Sequence, residues 1–175
     1  GRNRYRGRYP GSILKDRNYG TQSSSKVWVM REFVNSKANN LDIPLPRGRV
    51  RFYRRDKEGQ LEFTGENILD PTPRGGTVRL YTGNAFDLAG KRRRTDYRID
   101  LSRKWLDESF EIKLSNQKKK EVKVRVVEHL YRWINWEITK KSEPYLKTDS
   151  RTIEFRVQLK PDQEKAITYT VHYTW

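Results

Sequence analysis

Residues 167–175 read Ile-Thr-Tyr-Thr-Val-His-Tyr-Thr-Trp, so apolar and polar side chains alternate along the whole stretch. The same alternation occurs in residues 153–159 (Ile-Glu-Phe-Arg-Val-Gln-Leu), 122–126 (Val-Lys-Val-Arg-Val) and 110–114 (Phe-Glu-Ile-Lys-Leu). Successive side chains of a β-strand point to opposite faces, so a period of two predicts strands with one buried and one solvated face. These stretches therefore predict an all-β fold.

Working outward from these stretches, short strands are predicted along most of the chain. They are residues 26–34, 49–54, 60–64, 77–82, 96–101, 109–115, 121–129, 135–140, 152–159 and 165–174. Residues 56–59, 115–118 and 160–164 predict hairpin turns, and two prolines mark residues 70–76 as a longer loop. Residues 103–109 are expected to supply one short turn. Many short strands predict an antiparallel β-sandwich, immunoglobulin-like in general architecture.

Residues 1–25 differ in composition from the predicted sandwich domain, which spans residues 26–175. The first segment carries six Lys and Arg residues against one acid, Asp16, among Gly, Tyr, Ser and Asn. It predicts an extended basic arm that packs on its own domain or on a neighbour, with RNA contact through stacking and charge as the alternative. Because the chain begins at Gly1 without a methionine, we expect a processed protein or a fragment.

The net charge of +16 arises from 38 Lys and Arg residues against 22 Asp and Glu residues. Such a balance favours contact with anionic polymers, although solvated strand faces rich in Lys and Arg are the alternative explanation. The candidate polyanion contacts are Arg2, Arg4, Arg6, Arg8, Lys91, Arg92, Arg93, Arg94, Lys118, Lys119 and Lys120.

The aromatic residues Tyr131, Trp133 and Trp136 form a second candidate site. Exposed tryptophans beside an arginine could stack on sugars, bases or proline. The alternative is that these rings fill the core and its rim at a corner between two sheets.

Few residue types needed for catalysis are present. The absence of cysteine excludes disulfides, thiol catalysis, zinc knuckles and iron–sulfur ligation. Only His129 and His172 could act as imidazole bases, and no nucleophile elbow or phosphate-binding glycine loop occurs. We therefore expect no catalytic residue, metal or cofactor, and no small-molecule substrate. A carbohydrate-active site using Glu137 and Glu143 is a minor alternative.

The longest uninterrupted apolar run, Val27–Met30, is far too short to predict a transmembrane helix.

Several motifs carry a resemblance to a known family. They are residues 40–56 (Asn-Leu-Asp-Ile-Pro-Leu-Pro-Arg-Gly-Arg-Val-Arg-Phe-Tyr-Arg-Arg-Asp), 83–88 (Gly-Asn-Ala-Phe-Asp-Leu), 94–97 (Arg-Thr-Asp-Tyr), 127–133 (Val-Glu-His-Leu-Tyr-Arg-Trp), 136–138 (Trp-Glu-Ile) and 169–175 (Tyr-Thr-Val-His-Tyr-Thr-Trp). In this order they resemble the C-terminal portion of the bacterial domain of unknown function 4139 family, related to proteins described as mucoidy inhibitors. The resemblance covers residues 26–175 and leaves out the basic arm.

The resemblance implies a β-sandwich in a periplasmic, outer-membrane-associated or secreted bacterial protein, without an established catalytic residue. The leading expectation is therefore a non-enzymatic structural or interaction module of the cell envelope. It would bind a protein partner or self-assemble through the N-terminal arm or edge strands. Polyanion binding, to nucleic acid or an acidic polysaccharide, is the alternative from a different functional class.

Overall fold

The structure, a computed structural model, describes residues 16–19, 26–84 and 91–175, and gives only the backbone of residues 26 and 82–84. The strands are β1 (Lys26–Val34), β2 (Gly48–Arg55), β3 (Leu61–Leu69), β4 (Thr77–Asn84), β5 (Lys91–Asp100), β6 (Trp105–Ser115), β7 (Val122–His129), β8 (Trp136–Lys141), β9 (Tyr145–Asp149), β10 (Thr152–Leu159) and β11 (Glu164–Thr174). One 3₁₀ turn spans Lys37–Asn39. No helix in these ranges is long and apolar enough to cross a membrane.

Two sheets pack face to face and form an antiparallel β-sandwich, which confirms the predicted fold class. The five-stranded sheet has the order β4-β1-β7-β10-β9, and the four-stranded sheet has the order β5-β6-β11-β8. A separate two-stranded sheet consists of β2 and β3. Every pairing between these strands is antiparallel. The immunoglobulin-like likeness stays a prediction.

The core lies between the two larger sheets and is filled by the apolar side chains of the alternating stretches. Tyr169 is at its centre, with ring centroids 5.4 Å from Phe110 and 5.6 Å from Phe155. Phe110 belongs to the same sheet as Tyr169, whereas Phe155 belongs to the facing sheet. Contacts between aromatic rings at this separation stabilise a fold beyond the burial of apolar area. Tyr169 therefore stabilises the packing of the two sheets against each other.

Two of the three predicted hairpin turns are wrong, because each connects strands in different sheets. Residues 116–121 lead from β6 in the four-stranded sheet to β7 in the five-stranded sheet. Residues 160–163 return from β10 to β11, in the opposite direction. Short polar connections with turn residues suit a crossover as well as a hairpin, so composition alone could not separate the two. The third turn, at residues 56–59, does join the β2–β3 hairpin.

The expected turn over residues 103–109 is also wrong in part, since β6 already begins at Trp105. The turn instead occupies residues 101–104. The Asp100 carboxylate closes it by accepting hydrogen bonds from the backbone N–H groups of Ser102, at 3.0 Å, and Arg103, at 2.9 Å. The hydrogen bond from the Arg103 amide lowers the pKa of Asp100 most. A hydrogen bond from the Ser102 hydroxyl makes the next largest contribution. Strand β9 was not predicted.

Candidate functional site

Two glutamates occupy inward positions in the core, where the alternation otherwise places apolar side chains. Glu108 lies on β6 between Leu106 and Phe110, and Glu128 lies on β7 two residues after Val126. Each glutamate is 3% exposed. A buried carboxylate needs a cationic or hydrogen-bonding partner, because burial without one is very costly.

Arg92 on β5 is the partner of Glu128. Its Nε donates to both carboxylate oxygens of Glu128, at 3.0 and 3.1 Å, and its guanidinium lies 3.9 Å from the centroid of the Phe110 ring. Burial opposes the charged form of Arg92, but the Glu128 carboxylate outweighs it and raises the pKa of Arg92. The Arg92 guanidinium therefore stays charged inside the sandwich, next to the Glu128 carboxylate.

Glu108 binds two arginines at once. Its Oε1 accepts hydrogen bonds from Arg132 Nη2, at 2.7 Å, and from Arg94 Nη1, at 3.2 Å. The Arg132 side chain is only 2% exposed and the Arg94 side chain 13% exposed. Burial disfavours the Arg132 charge, yet the bond to Glu108 raises the pKa of Arg132. We call Arg94, Glu108 and Arg132 the arginine clamp.

The arginine clamp holds the described part of the N-terminal arm, residues 16–19. Arg132 donates from Nη1 to the carbonyl of Asp16, at 2.9 Å, and from Nη2 to the carbonyl of Tyr19, at 3.2 Å. Arg94 donates to the carbonyl of Arg17. Three backbone carbonyls of one four-residue segment therefore bind two guanidinium groups that Glu108 orients.

Ring contacts and a turn complete this interface. The Arg17 guanidinium lies 5.9 Å from the Tyr97 ring centroid, and the Arg132 guanidinium lies 5.8 Å from that of Tyr19. The segment itself turns back, since Asp16 accepts hydrogen bonds from the backbone of Asn18 and Tyr19. The arginine clamp thus recognises backbone shape and carbonyl groups, with aromatic faces as secondary contacts.

The cavity beside the arginine clamp is small. It has a volume of about 20 Å³ and is lined in part by Tyr19, Arg92, Glu108 and Tyr173. That volume is enough for one water molecule. Burial raises the pKa of the Tyr173 phenol, as it does for Tyr169. The arrangement of buried ion pairs and buried phenols is suited to holding a chain segment in place.

The basic run at residues 91–94 does not form one surface, which corrects its interpretation as four polyanion contacts. Lys91 and Arg93 point outward and are exposed. Arg92 and Arg94 point inward, into the ion pairs with Glu128 and Glu108. Alternation along β5 therefore separates the run into two surface cations and two buried ones.

The run Lys118–Lys120 lies in the crossover between β6 and β7, which a buried asparagine organises. Asn116 is fully buried, and its side-chain amide donates to the carbonyls of Lys120, at 2.9 Å, Leu159, at 3.2 Å, and Lys160, at 2.9 Å. Asn116 Oδ1 accepts from the backbone of Lys118 at 3.0 Å. One asparagine thus fixes both crossovers at this end of the sandwich.

Lysines from neighbouring elements collect at the same end. Lys91 is directly opposite Lys113 in the β5–β6 pairing, two residues before β6 ends. We call this set the lysine end. Its members are Lys91, Lys113, Lys118, Lys119, Lys120 and Lys160.

The candidate aromatic platform is not formed as an exposed face. Tyr131 is 46% exposed and packs its ring 5.3 Å from that of His129. Trp133 and Trp136 are partly buried against the core, and Trp136 donates from Nε1 to the carbonyl of Ser150 at 2.8 Å. The core-filling alternative therefore describes both tryptophans.

The remaining candidate residues for catalysis are apart from one another. Glu137 is opposite His172 on β11, whereas Glu143 binds Lys165 at 2.6 Å. Seven residues separate these two positions on β11, or about 23 Å at a strand rise of about 3.3 Å. The two glutamates are therefore held toward different ends of β11, whereas glycosidase carboxylates stand about 5–9.5 Å apart, so this geometry gives the alternative no support. No group of His, Asp or Glu side chains in the described ranges is arranged to hold a metal ion.

Sequence reasoning missed Glu108, Glu128 and Arg132, although a signal for the two glutamates was present. Extending the alternation from Phe110 back to Leu106, and from Val126 on to Leu130, places both carboxylates in apolar slots. A charge in an apolar slot predicts a buried ion pair. The arm residues Arg2, Arg4, Arg6 and Arg8 lie outside the described residues.

No protein-family model, curated protein or solved structure matches the chain. The resemblance to the domain of unknown function 4139 family therefore stays a prediction, together with what it implies about cell location.

Proposed function

We propose that this chain is a non-enzymatic structural and interaction module, in which the sandwich binds a chain segment through the arginine clamp. The observation that carries the proposal is the set of three backbone carbonyls bound by Arg94 and Arg132. A site that donates hydrogen bonds to backbone carbonyls can bind chain segments, and its affinity depends little on their side chains. Residues 16–19 of the N-terminal arm are the segment bound within this chain.

The proposal places the module in the bacterial envelope, as a periplasmic, outer-membrane-associated or secreted protein. This part rests on the family resemblance of residues 26–175. In such a module the arm would join the chain to a protein partner or to another copy, since exchange of an identical element is a low-cost route to assembly.

Deleting residues 1–25 tests whether the arm drives assembly, with the molar mass measured by light scattering. We expect the deletion to lower the molar mass of the assembly. Arg132→Gln, which keeps the arm but removes the donors to Asp16 and Tyr19, should have the same effect. Arg98→Gln, at a 71% exposed arginine that pairs with Asp96, is the matched control. An unchanged mass after the deletion would remove the arm from the mechanism.

Polyanion binding is a second candidate function, and the lysine end favours it. The lysine end gathers cations from β5, β6 and both crossovers on one side of the molecule. Clustered surface cations release the counterions of an anionic polymer when they bind it, so affinity falls steeply with salt.

Replacing Lys118, Lys119 and Lys120 with Gln tests this second candidate on duplex DNA. The slope of log affinity against log salt should become shallower by about 0.9 for each phosphate contact that is lost. Lys37→Gln, a change at an 88% exposed lysine, is the control. Absent binding at about 50 mM salt, or an unchanged slope, would end this candidate.

A further inference from the structure

The β2–β3 hairpin presents an apolar and basic face that its own sandwich leaves exposed. The register places Tyr53 opposite Phe63 and Arg55 opposite Leu61 on this face. Tyr53, Leu61 and Phe63 are 53%, 62% and 55% exposed. We call this surface the hairpin face. Its members are Arg49, Arg51, Tyr53, Arg55, Leu61, Phe63, Glu66 and Ile68.

Contacts within the hairpin fix the conformation of the hairpin face. The Asp56 carboxylate accepts hydrogen bonds from the backbone of Glu58, at 2.9 Å, and Gln60, at 2.8 Å, which closes the turn. Gly59 has a φ of 82°, a conformation that glycine adopts most easily. Tyr53 and Phe63 meet edge to face with centroids 5.9 Å apart. The two exposed rings are therefore already oriented.

A groove of about 440 Å³ continues the hairpin face onto the five-stranded sheet. Arg49, Glu66 and Ile68 line it from the hairpin, and Tyr81 and Arg125 line it from the sheet. The Arg125 guanidinium stacks 3.6 Å from the centroid of the Tyr81 ring. Its Nε is buried and has no hydrogen-bond partner among the described residues.

The charges around the groove do not balance. Glu66 is 3.5 Å from Arg49 and 3.7 Å from Arg51. Glu154 is 3.6 Å from Arg125 and 2.7 Å from Arg156. Each carboxylate is therefore shared by two guanidinium groups, which leaves two positive charges in excess. A second copy of the chain would bring the same excess, whereas an acidic partner would neutralise it.

We propose that the hairpin face and its groove bind an acidic, partly apolar segment of a protein partner. Acidic side chains of the segment meet Arg49 and Arg125, and its apolar side chains pack on Tyr53 and Phe63. Exposed Tyr and Arg residues are the types that contribute most to binding at protein interfaces. This surface is separate from the arginine clamp, so it does not depend on the proposed arm function.

The probe is a fluorescein-labelled synthetic peptide in which Asp and Leu alternate, which suits an extended segment with two faces. Fluorescence anisotropy measures its affinity for the full chain. A peptide in which Asp and Ser alternate carries the same charge without the apolar side chains. We expect the Asp/Leu peptide to bind at least about tenfold more tightly than the Asp/Ser peptide.

Variants locate the binding. The double change Tyr53→Ser and Phe63→Ser should weaken binding at least about tenfold, as should Arg125→Gln, while Arg98→Gln leaves it unchanged. Arg49→Gln, at a side chain 62% exposed, replaces Arg125→Gln if that variant does not fold. Equal affinity in parent and hairpin variants would overturn the proposal, as would equal binding of the two peptides. Binding to anionic lipid vesicles alone, lost in the same variants, would assign the face to a membrane and overturn it too.

Discussion

Glu108 is the residue on which the arginine clamp depends, because its single carboxylate pairs with and orients both Arg94 and Arg132. Glu108→Gln keeps the shape of the side chain but leaves two buried guanidinium groups without a carboxylate. We expect it to lower the free energy of unfolding by about 3–5 kcal/mol, as for other buried pairs that lose one partner. Urea denaturation followed by circular dichroism measures this change.

Glu111 supplies the control for Glu108, since it lies on the same strand and also binds an arginine. Its partner Arg93 is 68% exposed, so the pair is on the solvated face of β6. Glu111→Gln should therefore destabilise the fold much less than Glu108→Gln does, because solvated ion pairs contribute little. Equal losses of stability in the Glu108 and Glu111 variants would contradict the claim that the buried carboxylate stabilises the fold more than the solvated one.

Two buried tyrosines make stability sensitive to alkaline pH. Burial raises the pKa of Tyr169 and Tyr173 above the usual phenol value, so the folded chain keeps protons that the unfolded chain loses. This stability is present below about pH 10 and falls by about 1.4 kcal/mol per pH unit for each tyrosine above it. Urea midpoints from pH 8 to 11 should show the fall.

Tyr169→Phe is the variant that tests this assignment, because it keeps the ring and removes the ionisable group. It should reduce the slope above about pH 10 by about 1.4 kcal/mol per pH unit. A parent chain whose stability stays flat up to pH 11 would contradict the account of both tyrosines.

At the scale of elements, Asn116 decides how the two crossovers are joined. Its amide holds carbonyls from the β6–β7 crossover and from the end of β10. Asn116→Ala should lower the free energy of unfolding by about 2–3 kcal/mol, since buried carbonyls lose their donor. The exposed neighbour Gln117 is the control, and Gln117→Ala should change stability by less than about 0.5 kcal/mol. Equal effects of the two variants on the free energy of unfolding would contradict the role of Asn116 in connecting the two crossovers.

Strands were predictable where alternation was local, and their pairing was not. Residues 152–159 and 165–174 were predicted within one residue of β10 and β11. Their connection was predicted as a hairpin because adjacency in sequence is the usual guide to adjacency in a sheet. Sheet membership depends on contacts between distant strands, so residues 160–164 carry no local sign of it.

The candidate site shows the same limit. Charged residues inside the sandwich could be located by their position in the apolar–polar alternation, as Glu108 and Glu128 illustrate. Their partners could not, because Arg92, Arg94 and Arg132 reach them only through the order of strands across two sheets. The basic run at residues 91–94 was therefore expected on the surface as a whole.

At the scale of the whole molecule, the excess positive charge is distributed over separate regions. The lysine end, the groove beside the hairpin face and the arginine clamp each hold part of the +16. Many arginines lie in ion pairs and stacked contacts, whereas one group of surface lysines lies at the lysine end. Net charge alone could not separate these regions, although they predict different partners: a chain segment, an acidic peptide and an anionic polymer.

The central claim, that the arginine clamp holds residues 16–19 on the sandwich, can be measured directly because the chain has no cysteine. A spin label on Asn18→Cys, at an exposed position in the segment, reports local motion by electron paramagnetic resonance. Restricted motion is predicted in the parent chain and with Arg98→Gln, and fast motion after Arg132→Gln in chains that remain folded by circular dichroism. Fast motion in the parent chain, or restricted motion that Arg132→Gln leaves unchanged, would contradict the claim.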